Sequence, residues 1–263
     1  MTKNFLIITE GEKTEINILE AVLKKYGFKV SPSKQIKIPN NADDFVFENT
    51  FELSKEEDNV IIAQGPRNRL SHFLKFIDKR SEDIDRCFGV LENTFAGIFL
   101  VYDVDHTLKD ELEKMFLKYQ DESTGMLLLS SPCIEILSDT ERTDEIAVDH
   151  LSEYKAERNV WFDKNFHKST EKYIIDNFEE LALYYLKKNC DETGSKNVME
   201  HPNLLLPKIN ELNARTYIND DYIPVVYRYF TTTVYVCIAY IKGLTKQIEN
   251  SDEVIKFFES QKH

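Results

Sequence analysis

An uninterrupted apolar run that ends in two acids constrains the fold of this chain more than any other stretch. Residues 98–102 read Ile-Phe-Leu-Val-Tyr without polar alternation, which is typical of a strand buried on both faces of a parallel sheet. Asp103 and Asp105 follow directly. Because side chains alternate along an extended chain, these two acids lie on the same side of it. Open α/β sheets bind ligands at the carboxyl ends of their strands, so the sequence predicts a ligand site here.

A divalent cation is the simplest partner for this pair of acids. Two carboxylates at the edge of a core repel each other and lose hydration, so one of them stays protonated unless a cation lies between them. Mg²⁺ prefers oxygen ligands and suits a carboxylate pair. The alternative is a polar strand end in which one Asp caps the following helix.

Apolar runs and helical periodicity predict alternating strands and helices in the first half of the chain. Predicted strands lie at residues 5–8, 35–38, 59–63, 98–102 and 126–129, and predicted helices at 16–26, 70–77 and 108–119. Thr14 is the predicted N-cap of the first helix. The polar stretch 39–58 is predicted to be a loop or insertion. This order predicts a parallel sheet that is covered by helices on both faces.

The strand signals fade after about residue 140. Predicted helices lie at residues 173–186, 204–212, 222–244 and 254–258, although the aromatic and β-branched stretch 225–241 leaves a pair of strands open as an alternative. The sequence therefore predicts two parts, an α/β domain over residues 1–140 and a mainly helical appendage over residues 141–263.

The chain is acidic, and its charge is unevenly distributed. The formal net charge is −13, of which residues 1–150, with 18 Lys and Arg against 29 Asp and Glu, carry −11. Non-specific nucleic-acid affinity comes from neutralising phosphates, so an acidic surface binds nucleic acid poorly. A role on nucleic acid would therefore need a local basic groove, a metal ion or a partner.

Composition and pattern argue against membrane insertion and secretion. No apolar run approaches the roughly 20 residues that span a bilayer, and the N-terminus has no signal-peptide pattern. The four cysteines are far apart, without the paired spacing of zinc or redox sites. We therefore expect free thiols and a cytoplasmic protein.

Three short motifs each follow a predicted buried strand. They read Glu10-Gly11-Glu12-Lys13-Thr14-Glu15, Asp103-Val104-Asp105 and Ser130-Ser131-Pro132-Cys133-Ile134-Glu135. Together they resemble the Toprim domain of the RloB-like and AbiL-like phage-defence family, whose wider relatives are the OLD nucleases. The resemblance covers about residues 4–140. This chain departs from the family pattern at Ser131, where Asn is usual, and at residues 136–138.

The resemblance implies a Toprim-like sheet and metal-dependent cleavage of nucleic-acid phosphodiesters, with DNA or RNA left open as the substrate. It implies that Glu10, Asp103 and Asp105 are catalytic and bind Mg²⁺ or Mn²⁺. Further metal ligands would be Glu15, Ser130 and Glu135, and Lys13 would contact a phosphate or remain solvated. It also implies an anti-phage effector that works with an ATPase partner, and a homo-oligomer is possible.

Two alternatives remain open. One is a non-catalytic partner or regulatory subunit of an ATPase. The other is a phosphatase similar to the haloacid dehalogenases, with Asp103 as nucleophile and Ser130 in the second motif, which leaves Glu10 and Glu135 without a role. In the predicted appendage, aromatic residues suit packing or an ATPase-docking surface; they are Tyr222, Tyr227, Tyr229, Phe230, Tyr235 and Tyr240.

Overall fold

The chain divides into two compact units. The computed structural model describes residues 3–11, 13–30, 50–56, 58–64, 95–104, 109–123, 125–195, 201–218, 221–242 and 252–261. The units are Met1–Val101 and Tyr102–His263, and the division falls inside the strand that precedes the two acids. The predicted division between residues 140 and 141 into an α/β domain and an appendage stays a prediction.

The first unit is built on parallel strands. Its elements are β1 (Lys3–Thr9), α1 (Thr14–Lys25), β2 (Lys29–Val30), β3 (Thr50–Lys55), β4 (Asp58–Gln64) and the start of β5 (Phe95–Asp103). The strand order is β5-β1-β4-β3-β2, in which β1 is parallel to both neighbours. Ile7 is opposite Ile62 and Phe99, and all three are fully buried. Apolar side chains on both faces explain why these strands lie inside the sheet.

Two local predictions in this unit are wrong. Residues 50–55 form β3 instead of a loop, pairing antiparallel with β4. The sequence of this strand alternates apolar with polar residues and has no continuous apolar run, so the strand signal is weak until β4 supplies a pairing partner. The N-cap of α1 is Lys13, one residue before Thr14. The predicted strand at 35–38 and helix at 70–77 lie outside the described residues.

The second unit combines helices with two sets of paired strands. Its helices are α2 (Lys109–Lys118), α3 (Leu151–Phe166), α4 (Thr170–Asp176), α5 (Phe178–Thr193), α6 (Leu206–Leu212), α7 (Tyr235–Ile241) and α8 (Asp252–Ser260), with 3₁₀ helices at Ile134–Ser138, Val148–His150 and Pro202–Leu205. Its strands are β6 (Gln120–Asp121), β7 (Gly125–Ser131), β8 (Ile146–Ala147), β9 (Ala214–Ile218), β10 (Asp221–Tyr227) and β11 (Thr231–Thr232). Strand β7 pairs antiparallel with β6 and β11, and β10 pairs antiparallel with β8 and β9.

The predicted fold class is confirmed: the protein is α/β, with mostly parallel strands flanked by helices and a helical C-terminal part. The helix predicted at 222–244 is wrong over residues 222–232, which hold most of β10 and all of β11 instead. Pro224 lacks the N–H of a helix interior, and the neighbouring β-branched residues favour strands. Among the described residues, no helix is long and apolar enough to cross a membrane.

Candidate functional site

The first predicted motif begins in the turn that follows β1. Glu10 follows the strand, and its backbone N–H donates to the Val101 carbonyl of β5 at 3.1 Å. The Thr9 hydroxyl donates to the Gly11 carbonyl at 3.1 Å. The buried Glu15 carboxylate lies against Gly11, because a Cβ there would be only 2.1 Å from Glu15 Oε2. The Glu15 carboxylate therefore occupies the space that a side chain at residue 11 would need, which accounts for a glycine four residues before Glu15 in the motif.

The second and third motifs begin at the ends of β5 and β7. The backbone N–H of Val104 donates to the Ser130 carbonyl at 2.9 Å, so the two strand ends are adjacent. Asp103, the last residue of β5, is only 6% exposed. Burial raises the pKa of the Cys133 thiol, and the charges of Glu135 and Asp103 raise this pKa further. The carboxylates of Asp103 and Glu135 therefore both act electrostatically on the Cys133 thiol.

Glu135 has an unsatisfied carboxylate oxygen. Its Oε2 is buried and makes no hydrogen bond, and the Lys155 ammonium lies 3.6 Å away. Buried polar atoms without a partner are rare, and each calls for an explanation such as a bound ion. Lys155 lies in α3. The sequence did not predict this contact, because no motif or spacing connects a lysine in α3 with the end of β7.

Side chains from α3 and α5 hold the 3₁₀ helix that carries Glu135. The Tyr185 hydroxyl donates to the Ile136 carbonyl at 2.6 Å, and Arg158 Nη2 donates to the Ser138 carbonyl at 2.8 Å. The Ser138 hydroxyl donates back to the Glu135 carbonyl at 2.7 Å. The Glu135 backbone is thus fixed before any ligand arrives, which lowers the cost of binding one.

Ser130 has a structural partner. Its hydroxyl lies 2.8 Å from the Thr232 hydroxyl of β11, and both residues are buried. The neighbouring Ser131 hydroxyl donates to the Tyr229 carbonyl at 2.7 Å, and the peptide bond from Ser131 to Pro132 is cis. The metal-ligand role of Ser130 stays a prediction that its contacts do not support.

Of the remaining predicted residues, Glu10, Lys13 and Glu15 belong to the first unit. Lys13 is exposed at the start of α1, and Asp105 lies outside the described residues, as does His106. Within the described ranges, no group of three or more His, Cys, Asp and Glu residues could hold a metal ion. The donors at Asp103 and Glu135 are nevertheless carboxylate oxygens, which fit Mg²⁺ or Mn²⁺.

Comparisons with known proteins give no family. No family model matches the chain, and no curated protein matches it. A hypothetical protein from Pyrococcus horikoshii OT3 with a crystal structure is similar at 15% identity, over 80% of this chain and 95% of its own, with a TM-score of 0.31. A structural likeness of that size carries no argument about fold or function.

Proposed function

We propose that this chain is a nuclease that hydrolyses nucleic-acid phosphodiesters with Mg²⁺ or Mn²⁺. The observation that carries the proposal is the buried, unsatisfied Glu135 Oε2 in the 3₁₀ helix that follows β7. The end of β7 is adjacent to the end of β5, which carries Asp103. Carboxylates that share a site repel each other, and a cation between them removes that repulsion. Lys155 supplies one positive charge to Glu135, and a divalent ion would supply the rest.

The donor chemistry favours a hard cation. Glu135 and Asp103 offer oxygen atoms, with Glu10 and Asp105 as further proposed ligands from the motifs that resemble Toprim domains. This donor set suits Mg²⁺ or Mn²⁺ and disfavours zinc.

The two acids and the lysine have different roles in the proposed reaction. Asp103 and Glu135 would hold the cation, which when bound would supply activation of water and stabilisation of the leaving oxygen. Lys155 is close enough to the same carboxylate to contact a phosphate oxygen of the substrate. An anti-phage effector that works with an ATPase is the biological setting that the Toprim resemblance suggests.

Metal-dependent cleavage tests the proposal. The purified protein is incubated with Mg²⁺ and total tRNA, single-stranded DNA or plasmid, beside Asp103→Asn and the exposed control Glu180→Gln. We expect cleavage of at least one substrate by the wild type and the control, and none by Asp103→Asn. Cleavage that survives in Asp103→Asn contradicts the proposed site. Absence of cleavage with intact metal binding favours the non-catalytic alternative.

The same assay separates the phosphatase alternative. Release of phosphate from a small monoester, lost in Asp103→Asn, would favour that activity. The contacts of Ser130 count against it, because its buried hydroxyl is already bonded to Thr232 and not presented to a ligand.

A further inference from the structure

The second unit contains an open cleft between α2 and the start of α6. Its volume is about 510 Å³, which lies within the range of about 300–1,000 Å³ that is typical of small-molecule sites. Residues of α2 and β6 line one side, and residues of α6 and of the 3₁₀ helix before it line the other. A protein partner needs a contact surface of about 800 Å² on each side, so the size of the cleft favours a small molecule.

One wall of the cleft is apolar. It consists of Phe116 and Leu117 from α2 and Leu206 and Pro207 from α6. Leu117 is 74% exposed, although it lies beside three other apolar residues. A ligand with an apolar ring would remove this surface from water, which favours its binding.

The rest of the lining is polar and carries a negative charge. It consists of Glu113, Gln120, Asn203 and Asn210. The Asn210 carboxamide donates to Glu113 Oε1 at 3.1 Å, which holds the carboxylate in position. None of the described residues that line the cleft is Lys or Arg. The cleft therefore repels a phosphate or carboxylate ligand and attracts a cation.

Asn203 has an unsatisfied oxygen in its side chain. Its Oδ1 is buried and makes no hydrogen bond within the part of the chain that the structure describes. A buried oxygen without a partner is costly and calls for an explanation. The second side-chain torsion of Asn is broad, so the carboxamide can turn this oxygen towards the cleft. Asn203 and Glu113 then both accept hydrogen bonds, and the matching ligand donates them.

We propose that this cleft binds a small aromatic amine, with its ring against Leu117 and Leu206 and its N–H groups donating to Glu113 and Asn203. The amine is neutral or protonated and carries no phosphate or carboxylate. None of these four residues belongs to the proposed nuclease site, so the inference does not depend on cleavage of nucleic acid. No sequence motif predicts the cleft, because Glu113 and Asn210 are 97 residues apart.

A matched pair of probes tests the sign of the charge. Tryptamine and indole-3-acetate share the indole ring, but one carries an ammonium group and the other a carboxylate. Each is titrated into the full ¹⁵N-labelled chain and followed by amide chemical shifts. We expect saturable binding of tryptamine with a Kd of about 1 mM or below, and binding of indole-3-acetate at least about tenfold weaker. Equal affinities, or no saturable binding of tryptamine, would overturn the proposal.

Charge changes at the cleft locate the binding. Glu113→Gln can still accept from Asn210 but loses the charge, so it should weaken tryptamine binding and narrow the difference between the probes. Leu117→Lys places a cation at an exposed position, where the fold is not at risk, and should weaken tryptamine and strengthen indole-3-acetate. Val160→Lys is the matched control, since Val160 is 68% exposed on α3 and does not line the cleft. Tryptamine affinity that is unchanged in all three variants would place the binding elsewhere and reject the site.

Asn203→Leu separates a ligand-binding role from a structural one. The substitution keeps the approximate size of the side chain and removes the unsatisfied oxygen. We expect an equal or higher melting temperature without ligand, and tryptamine binding weakened about fivefold. A lower melting temperature with unchanged tryptamine affinity would show that Asn203 serves the fold, and would contradict its role as a ligand acceptor.

Discussion

Two groups of polar residues lie at the end of β7, and they differ in how completely their atoms are hydrogen-bonded. The hydroxyl–amide cluster consists of Ser130, Ser131, Asn189, Asn213 and Thr231–Thr233. The acidic cluster consists of Asp103, Cys133, Glu135 and Lys155. The first cluster is fully partnered, whereas the second contains the unsatisfied Glu135 Oε2.

Every side-chain oxygen and nitrogen of the hydroxyl–amide cluster has a partner. Asn189 donates to the Thr232 carbonyl and the Tyr235 hydroxyl, both at 3.0 Å, and accepts from the Thr231 hydroxyl. The Thr233 hydroxyl accepts from the backbone N–H of Leu129 at 3.0 Å. A satisfied buried network of this kind fixes one arrangement of its elements.

The difference suggests separate roles for the two clusters: the hydroxyl–amide cluster stabilises the fold, and the acidic cluster is the proposed ligand site. The hydroxyl–amide cluster joins β11 and α5 to β7 and has no atom left to offer. In the acidic cluster, Glu135 Oε2 has no hydrogen-bond partner, which costs stability in the absence of a ligand. We therefore expect substitutions in the first cluster to reduce stability, and substitutions in the second to reduce activity.

The largest expected effect is on activity in the acidic cluster. Glu135→Gln keeps the size of the side chain but removes its charge, so metal-dependent cleavage should fall on the order of 10³-fold. The free energy of unfolding should change by less than about 1 kcal/mol, because the Lys155 pair is partly exposed. Single-turnover cleavage and urea unfolding measure the two quantities. A large loss of stability with normal cleavage would show that Glu135 serves the fold and not the activity.

Asn213→Ala should produce the largest loss of stability in the hydroxyl–amide cluster. The Asn213 carboxamide accepts from the backbone N–H groups of Arg228 and Tyr229 at 3.0 Å each and donates to the Ser131 hydroxyl at 3.2 Å. Its removal should lower the free energy of unfolding by about 3 kcal/mol. Exposed Asn165→Ala is the matched control and should cost less than about 0.5 kcal/mol. Urea unfolding of both variants measures these losses. An equal loss of unfolding free energy in both would contradict the structural role of Asn213.

Gly11→Ala should have an intermediate effect, in the first unit. The new methyl group would collide with the Glu15 carboxylate, so we expect a loss of about 1–3 kcal/mol. The Glu15→Ala background removes the collision, and the same substitution should cost much less there. A double-mutant cycle by thermal or urea unfolding measures this coupling. Additive effects would show that the carboxylate does not need the space above Gly11.

The smallest expected effect is at an exposed ion pair. Lys168 and Lys172 bond the Asp176 carboxylate and lower its pKa. A lowered pKa in the folded state stabilises the protein above the ordinary pKa of Asp, and this contribution is lost as the pH falls through the folded value. Asp176→Asn should therefore reduce stability near neutral pH by less than about 0.5 kcal/mol and leave it unchanged in acid. Thermal unfolding from pH 7 to pH 3 tests the direction.

The sequence predicted those parts of the fold whose signals are local. Strands β1, β4, β5 and β7 are continuous apolar runs, so their burial was evident without a structure. Strand β3 was predicted as a loop, and β10 and β11 as helix with a pair of strands left open, because these strands lack a continuous apolar run and pair antiparallel with strands elsewhere in the chain. Asp103 and Glu135 were predicted from their motifs, and their role as ligands stays a prediction. Lys155 and the pairing of Ser130 with Thr232, 102 residues away, depend on how the chain folds back.

Calorimetric titration with Mn²⁺ and Mg²⁺ tests the central claim most directly, namely that the acidic cluster binds a divalent cation. We expect saturable binding by the wild type and by Glu180→Gln. We also expect affinities at least about tenfold weaker in Asp103→Asn and Glu135→Gln, since ligand charge sets the affinity of such sites. Equal affinities in all four proteins, or no binding by the wild type, would contradict the account.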